Sequence, residues 1–153
     1  MTKQESVSEQ DTKNRTFKLT IVGFDSGLNE VLNGVHYDYR TKRIVNPVKK
    51  ANDDLMIQQI RFSKELRGIT LNPPIELHYA FFCKDKRRDR MNVASAFDKS
   101  FEDSLQKCGK LQNDSWDMVL NATFEFDIDK THPRVEVAIH EISPVDPYDF
   151  KST

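Results

Sequence analysis

Cysteine is scarce: Cys83 and Cys108 are the only two in 153 residues. Their number and spacing exclude a disulfide framework and a cysteine zinc site, and point to a reducing compartment. A dominant charge sign is also missing. Lys and Arg number 23 against 24 Asp and Glu, a net charge of −1. Attraction of a polyanion to the whole surface is therefore excluded, and any such ligand must meet a local patch. No apolar run approaches the length of a membrane span, and the N-terminus carries no apolar signal core. The expectation is a cytoplasmic protein with no membrane partner. Of the five glycines, Gly23 and Gly27 form no phosphate-binding fingerprint, because no helix follows at the required spacing. His36, His78, His132 and His140 show no ligand spacing. Those at 78 and 140 read as sheet-surface residues.

What is present is a core. Hydrophobic residues make up 37% and charged residues 31%, with ten Phe, a globular composition in a chain of one domain's length. Residues 1–14 are polar and read as a disordered arm, residues 15–142 as the domain, and residues 143–153 as a loose tail. Phe17, Leu19 and Ile21 alternate with polar residues, which predicts a strand. "GFDSGLNEVLNG" then reads as a loop, and "VHYDYRTKRIV" as either a short hairpin or an extended loop. Pro47 opens a helix whose apolar positions run through Leu55, Phe62 and Leu66 to a stop at Gly68. Ile75 to Cys83 predicts a central strand, and about Arg90 to Lys107 a second helix. Trp116 to Asp129 predicts a strand or bent pair with Ala122, Phe124, Phe126 and Ile128 on one face. Val135, Val137 and Ile139 alternate in a last strand. The order β-α-β-α-β-β predicts an α+β fold, a small mixed sheet with two main helices packed on it.

On a wheel of about 100° per residue, Ala94, Phe97, Phe101, Leu105 and Cys108 form the core face of the second helix. Asn92, Lys99 and Asp103 lie opposite, with Asp89 one turn before. Taken alone, this ridge reads most simply as a solvated face, with Lys99 and Asp103 an i,i+4 pair and Asp89 a cap. "NDS" follows after a short loop, and a chain return there brings Asp114 towards the helix. Carboxylates converging at that point would suit a hard cation such as Mg²⁺. The basic run around Asp89 (Lys84, Lys86, Arg87, Arg88, Arg90) would suit phosphates. Carboxylates, a divalent ion and a lysine together suit phosphodiester hydrolysis. Tyr37, Tyr39 and Phe24 offer rings for base stacking, although burial is the simpler role for them.

The ordered set "GLNEVL" (27–32), "NPVKKAND" (46–53), "IELHYAFFCKDKRRDRMN" (75–92), "DKSFEDSLQKCGKLQNDSW" (98–116) and "IDKTHPRVEVAI" (128–139) resembles the RusA family of phage and prophage Holliday-junction resolvases. The resemblance implies a RusA-like fold and a homodimeric, Mg²⁺-dependent crossover junction endodeoxyribonuclease. Its substrate would be four-way or branched DNA in phage recombination or repair, in the host cytoplasm. It carries Asp89 onto the first carboxylate of the family's Asp-x-Asp-Asn element and Asn92 onto the amide. Lys99 falls on the essential lysine, Asp103 on the acid one turn later, and Asp114 on the downstream metal-binding aspartate. Asp89 and Asp114 would hold the metal. Lys49, Lys50, Arg87, Arg88 and Asn92 would contact DNA. Met91 departs from the pattern, because a soft thioether stands where a second carboxylate is expected and is a poor ligand for Mg²⁺. That substitution opens an alternative, a protein that holds branched DNA and cuts it weakly or not at all.

Overall fold

A computed structural model describes residues 14–24, 27–113 and 115–142. The arm at 1–13, the tail at 143–153 and Asp114 lie outside the described residues. Strand β1 (Thr16–Ile21) is followed by a short helix α1 (Leu28–Asn33) and a hairpin, β2 (His36–Asp38) and β3 (Arg43–Val45). Helix α2 (Pro47–Phe62), strand β4 (Ile75–Cys83), helix α3 (Arg90–Lys107) and strands β5 (Val119–Ile128) and β6 (Arg134–Glu141) complete the chain. The four long strands form one sheet in the order β1-β6-β4-β5, with β4 parallel to β5 and the other pairs antiparallel. This is an α+β architecture on a mixed sheet. No helix among the described residues is long and apolar enough to cross a membrane.

The period-2 pattern decides which face of the sheet is covered. Phe17, Leu19 and Ile21, then Ile75, Leu77, Tyr79 and Phe81, then Val135, Val137 and Ile139, all lie in one buried cluster. Met56 and Ile60 of α2 and Ala94, Phe97, Phe101 and Leu105 of α3 close over them. Burying each large side chain contributes roughly 1.5–3 kcal/mol. Aromatic edges add to this: Tyr79 meets Phe97 and Phe101 edge-to-face, with centroids 5.4 and 5.8 Å apart. The Tyr79 hydroxyl is the polar cost of that core, and it donates to Asp98 at 2.6 Å.

Several expectations need correction. The stretch expected as a loop before residue 34 contains α1, which is only six residues long and too short to show a helical period. The ambiguous segment after it is the β2–β3 hairpin, with Tyr37 opposite Ile44. Helix α2 stops at Phe62 rather than at Gly68, because Ser63 turns extended at φ −66° and ψ 124°. Leu66 reaches the core through the following turn instead, so its place in the apolar stripe came from burial and not from helix. Strand β5 begins at Val119 rather than Trp116, whose side chain is exposed. The bland burial expected for Tyr37 and Tyr39 also fails, since both are exposed. Strand β4 and helix α3 have the predicted bounds, and β4 is central in the sheet.

Candidate phosphate-binding cleft

Strands β4 and β5 are parallel neighbours joined by α3, so their C-terminal ends and the start of α3 meet on one edge of the sheet. Strand β6 runs the other way and places Arg134 beside Phe82 there. A cleft of about 950 Å³ opens at this edge. Phe81, Phe82 and Phe126 form part of its lining, and the segment from Lys84 to Arg90 runs along it. Six basic side chains (Lys84, Lys86, Arg87, Arg88, Arg90, Arg134) and three acidic ones (Asp85, Asp89, Asp127) line it. In a protein of net charge −1, this is the local positive patch that a polyanion requires.

The cleft's polar groups are held by local structure. Asp89 is the N-cap of α3, and its Oδ1 accepts the Asn92 backbone N–H at 3.0 Å. Asp85 caps its own turn, accepting the Arg87 backbone N–H at 3.0 Å. Arg90 stacks over the Phe126 ring at 5.5 Å, and Arg134 over Phe82 at 4.0 Å. Arg134 is also clamped between Asp129 at 2.9 Å and Glu136 at 3.1 Å. Its guanidinium holds the Asp129 carboxyl below the usual carboxylate range, helped by Thr131 and the His132 backbone. Burial, then the nearby Asp85 charge, push the Cys83 thiol up. Cys83 is thus a poor candidate nucleophile despite lining the cleft.

The expected site residues do not all meet here. Asp89, Arg87 and Arg88 line the cleft. Asn92 sits half-buried one turn into α3, close to Gly27: a Cβ on that glycine would fall 2.7 Å from Asn92 Nδ2. Met91 is 55% exposed and is not part of the cleft lining. Lys99 is ten residues beyond Asp89, about 15 Å along the helix axis, and is exposed. Asp103 is about 21 Å along and lies 3.9 Å from Lys49 on α2 instead.

Lys49 belongs to a polar seam between α2 and α3 built on the buried Asp53 and Ser100. Its Nζ donates to Asp53 at 2.7 Å, Ser100 donates to the same carboxylate at 3.0 Å, and Lys107 at 3.3 Å. Lys50 is exposed and pairs with Asp54 at 2.9 Å. The expected metal pair of Asp89 and Asp114 cannot be placed, because Asp114 lies outside the described residues. Among the described residues no three His, Cys, Asp or Glu side chains converge as a metal-binding group. Asp89 does supply the right donor chemistry, a hard carboxylate whose Oδ2 takes no hydrogen bond among the described residues.

Arg134 and Asp127 are the cleft residues that the sequence reading missed. Arg134 stood only next to a turn, "DKTHP", and its position beside Phe82 depends on strand register. No protein-family model matches the chain, and no curated protein sequence matches it.

Proposed function

We propose that the chain is a Mg²⁺-dependent endonuclease of the RusA kind, acting as a homodimer on four-way and other branched DNA. The observation that supports this most is the cleft, which six basic side chains line together with Asp89 at the start of α3. Phosphate backbones are bound by such clusters through counterion release and charge-assisted hydrogen bonds. The positive end of α3 adds to the field that a phosphate meets.

In this reading Arg87 and Arg88 hold the phosphates flanking the scissile bond, and Arg90 and Arg134, fixed on Phe126 and Phe82, shape the cleft floor. Asp89 and Asp114 would hold Mg²⁺. When bound, the ion lowers the pKa of its water and stabilises charge on the phosphorane. Lys99 lies too far along α3 to share a phosphate with Asp89 in the same protomer, so it meets a neighbouring part of the DNA. Lys49 contributes through the α2–α3 seam, and Lys50 is the more accessible phosphate contact at that helix start.

A second reading rests on Met91. Its exposed thioether stands where the family places a carboxylate, and this favours a protein that grips branched DNA without cutting it. One experiment separates the two. The full chain is incubated with a synthetic four-way junction in Mg²⁺ and in Mn²⁺, and both band shift and cleavage are scored. Cleavage in either metal establishes the endonuclease. Binding without cleavage in both metals leaves the holder. No binding at low salt refutes both.

A further inference from the structure

A separate exposed surface lies on the β2–β3 hairpin. Tyr39 is 86% exposed and Ile44 76% exposed, and Tyr37 faces Ile44 across the hairpin. The Tyr37 and Tyr39 rings meet edge-to-face with centroids 4.8 Å apart, so Tyr37 braces Tyr39 while both remain open to solvent. The hairpin is a two-stranded sheet of its own. Such units are marginal in isolation, and this one is pinned at its base. Asn46 caps α2 by accepting the Lys49 N–H at 3.1 Å and donates its Nδ2 to Val31 O at 2.7 Å. Gly34 fits tightly against it, since a Cβ there would lie 2.6 Å from Asn46 Oδ1. The far end carries Arg40, Lys42 and Arg43, against one acid in residues 36–45, Asp38. The segment's charge is 3 − 1 = +2 with His36 neutral.

We propose that this hairpin is a base-stacking arm. At the branch point of a DNA junction, Tyr39, braced by Tyr37, stacks on an unpaired base while Arg40, Lys42 and Arg43 hold the adjacent phosphates. The inference rests on the branched-DNA reading above and extends it to a second contact outside the cleft. Stacking on an aromatic ring is indifferent to base identity, which suits a protein that selects DNA shape. Along the chain, α1, about 9 Å long, links the hairpin to Gly27, which abuts Asn92 at the start of α3. A second copy of the chain is the rival occupant of this surface. Two-fold self-pairing there would set this cationic patch against the same patch of the copy, and that like-charge contact disfavours it.

The test uses the full chain, a four-way junction with 2-aminopurine at the branch point, and a linear duplex of the same sequence. Affinities are read by anisotropy, oligomeric state by sedimentation, and folding by circular dichroism. Tyr39→Ala and Tyr37→Ala/Tyr39→Ala should weaken junction binding about tenfold or more, from typical stacking contributions. Both should abolish the 2-aminopurine response, and duplex affinity should stay within about twofold. Tyr39→Phe should bind like the wild type. The arm is refuted if junction binding is unchanged, if duplex binding falls equally, if Tyr39→Phe behaves as Tyr39→Ala, or if the variants lose a dimer that the wild type forms. A wild type that binds neither DNA at low salt overturns the branched-DNA reading itself, and the arm with it. Should the double variant misfold, the single Tyr39→Ala change at the more exposed ring decides.

Discussion

Replacing Asp53 with alanine tests whether the α2–α3 seam is structural. Asp53 is 5% exposed and accepts from Lys49, Ser100 and Lys107. The Ser100 hydroxyl is buried, and losing its acceptor costs about 1–3 kcal/mol. The side chains of Lys49 and Lys107 are 40% and 52% exposed, so their charges can rehydrate, and each lost pair costs at most about 1 kcal/mol. The sum is about 1–5 kcal/mol. For a chain of this size that corresponds to a fall in Tm of roughly 2–20 °C. Urea denaturation followed by circular dichroism should show a lower midpoint at an unchanged m-value. A coupling of about 1 kcal/mol between Asp53→Ala and Ser100→Ala in a double-mutant cycle assigns the hydroxyl's share. If Asp53→Ala costs less than about 0.5 kcal/mol, the seam is not structural and Lys49 is available for DNA.

The same carboxylate predicts a pH dependence. Burial raises the Asp53 pKa, but hydrogen bonds from Lys49 and Ser100, the Lys49 charge and Lys107 outweigh it, so the net shift is downward. A folded pKa below the unfolded value gives stability that is present above the unfolded pKa, about 3.9, and is lost as pH falls through the folded value. The wild type should therefore lose part of its acid stability below about pH 4, and Asp53→Asn should flatten that slope. An equal slope in the two proteins refutes the assignment.

Met91→Asp changes an exposed side chain at the start of α3, so stability should stay within about 0.5 kcal/mol; if the chain is a non-cutting holder, cleavage of the junction in Mg²⁺ should appear, and unchanged activity places Met91 away from the metal. Arg87→Glu/Arg88→Glu should weaken binding to junction and duplex alike and lower the slope of log K against log salt by about 2, near one per lost phosphate contact; an unchanged slope removes these residues from the interface. Tyr79→Phe should cost about 1–2 kcal/mol through loss of the buried bond to Asp98. In the wild type, burial, then the Asp98 charge and hydrogen bond, and then the Glu102 charge push the Tyr79 phenol up. Stability should then fall as pH rises above about 10, and an ultraviolet titration should leave one of the four tyrosines un-ionised until the fold opens. Ionisation of all four before unfolding refutes the burial argument.

The elements with a dense, regular apolar pattern were legible in the sequence, and those built by tertiary contact were not. Strand β4 alternates over nine residues and α3 repeats its apolar face over 18, so their bounds could be read from periodicity. Helix α1 has too few residues for a period, and it is held partly by Asn46, fifteen positions later. The α2 stop misled because Leu66 is buried at a helical spacing although a turn delivers it. Residue type favours burial of Tyr37 and Tyr39, yet they sit on a hairpin outside the main sheet and are exposed among the described residues. Asp89 and its basic neighbours were legible because they are consecutive. Arg134 was not, because its place in the cleft follows from the pairing of β6 with β4.

The length of α3 settles how its polar residues divide. Eighteen residues span about 27 Å, more than one metal–phosphate centre occupies. The first turn borders the cleft, where Asp89 caps the helix and Arg90 lies on Phe126. The last turns face α2, where Asp103 meets Lys49 and Lys107 meets Asp53. A wheel collapses that axial distance and makes Asn92, Lys99 and Asp103 look like one ridge. Along the axis they are spread over about 17 Å; Asp103 lies 3.9 Å from Lys49, and Lys107 is hydrogen-bonded to Asp53. The chemistry proposed for this chain therefore concentrates on residues 84–92, Asp114 and Arg134, and a variant at Asp103 should show its effect first in stability and only through it in DNA processing. Thermal melts of Asp103→Asn beside its junction-binding isotherm test that order, and a loss of binding at an unchanged Tm would return Asp103 to the DNA site.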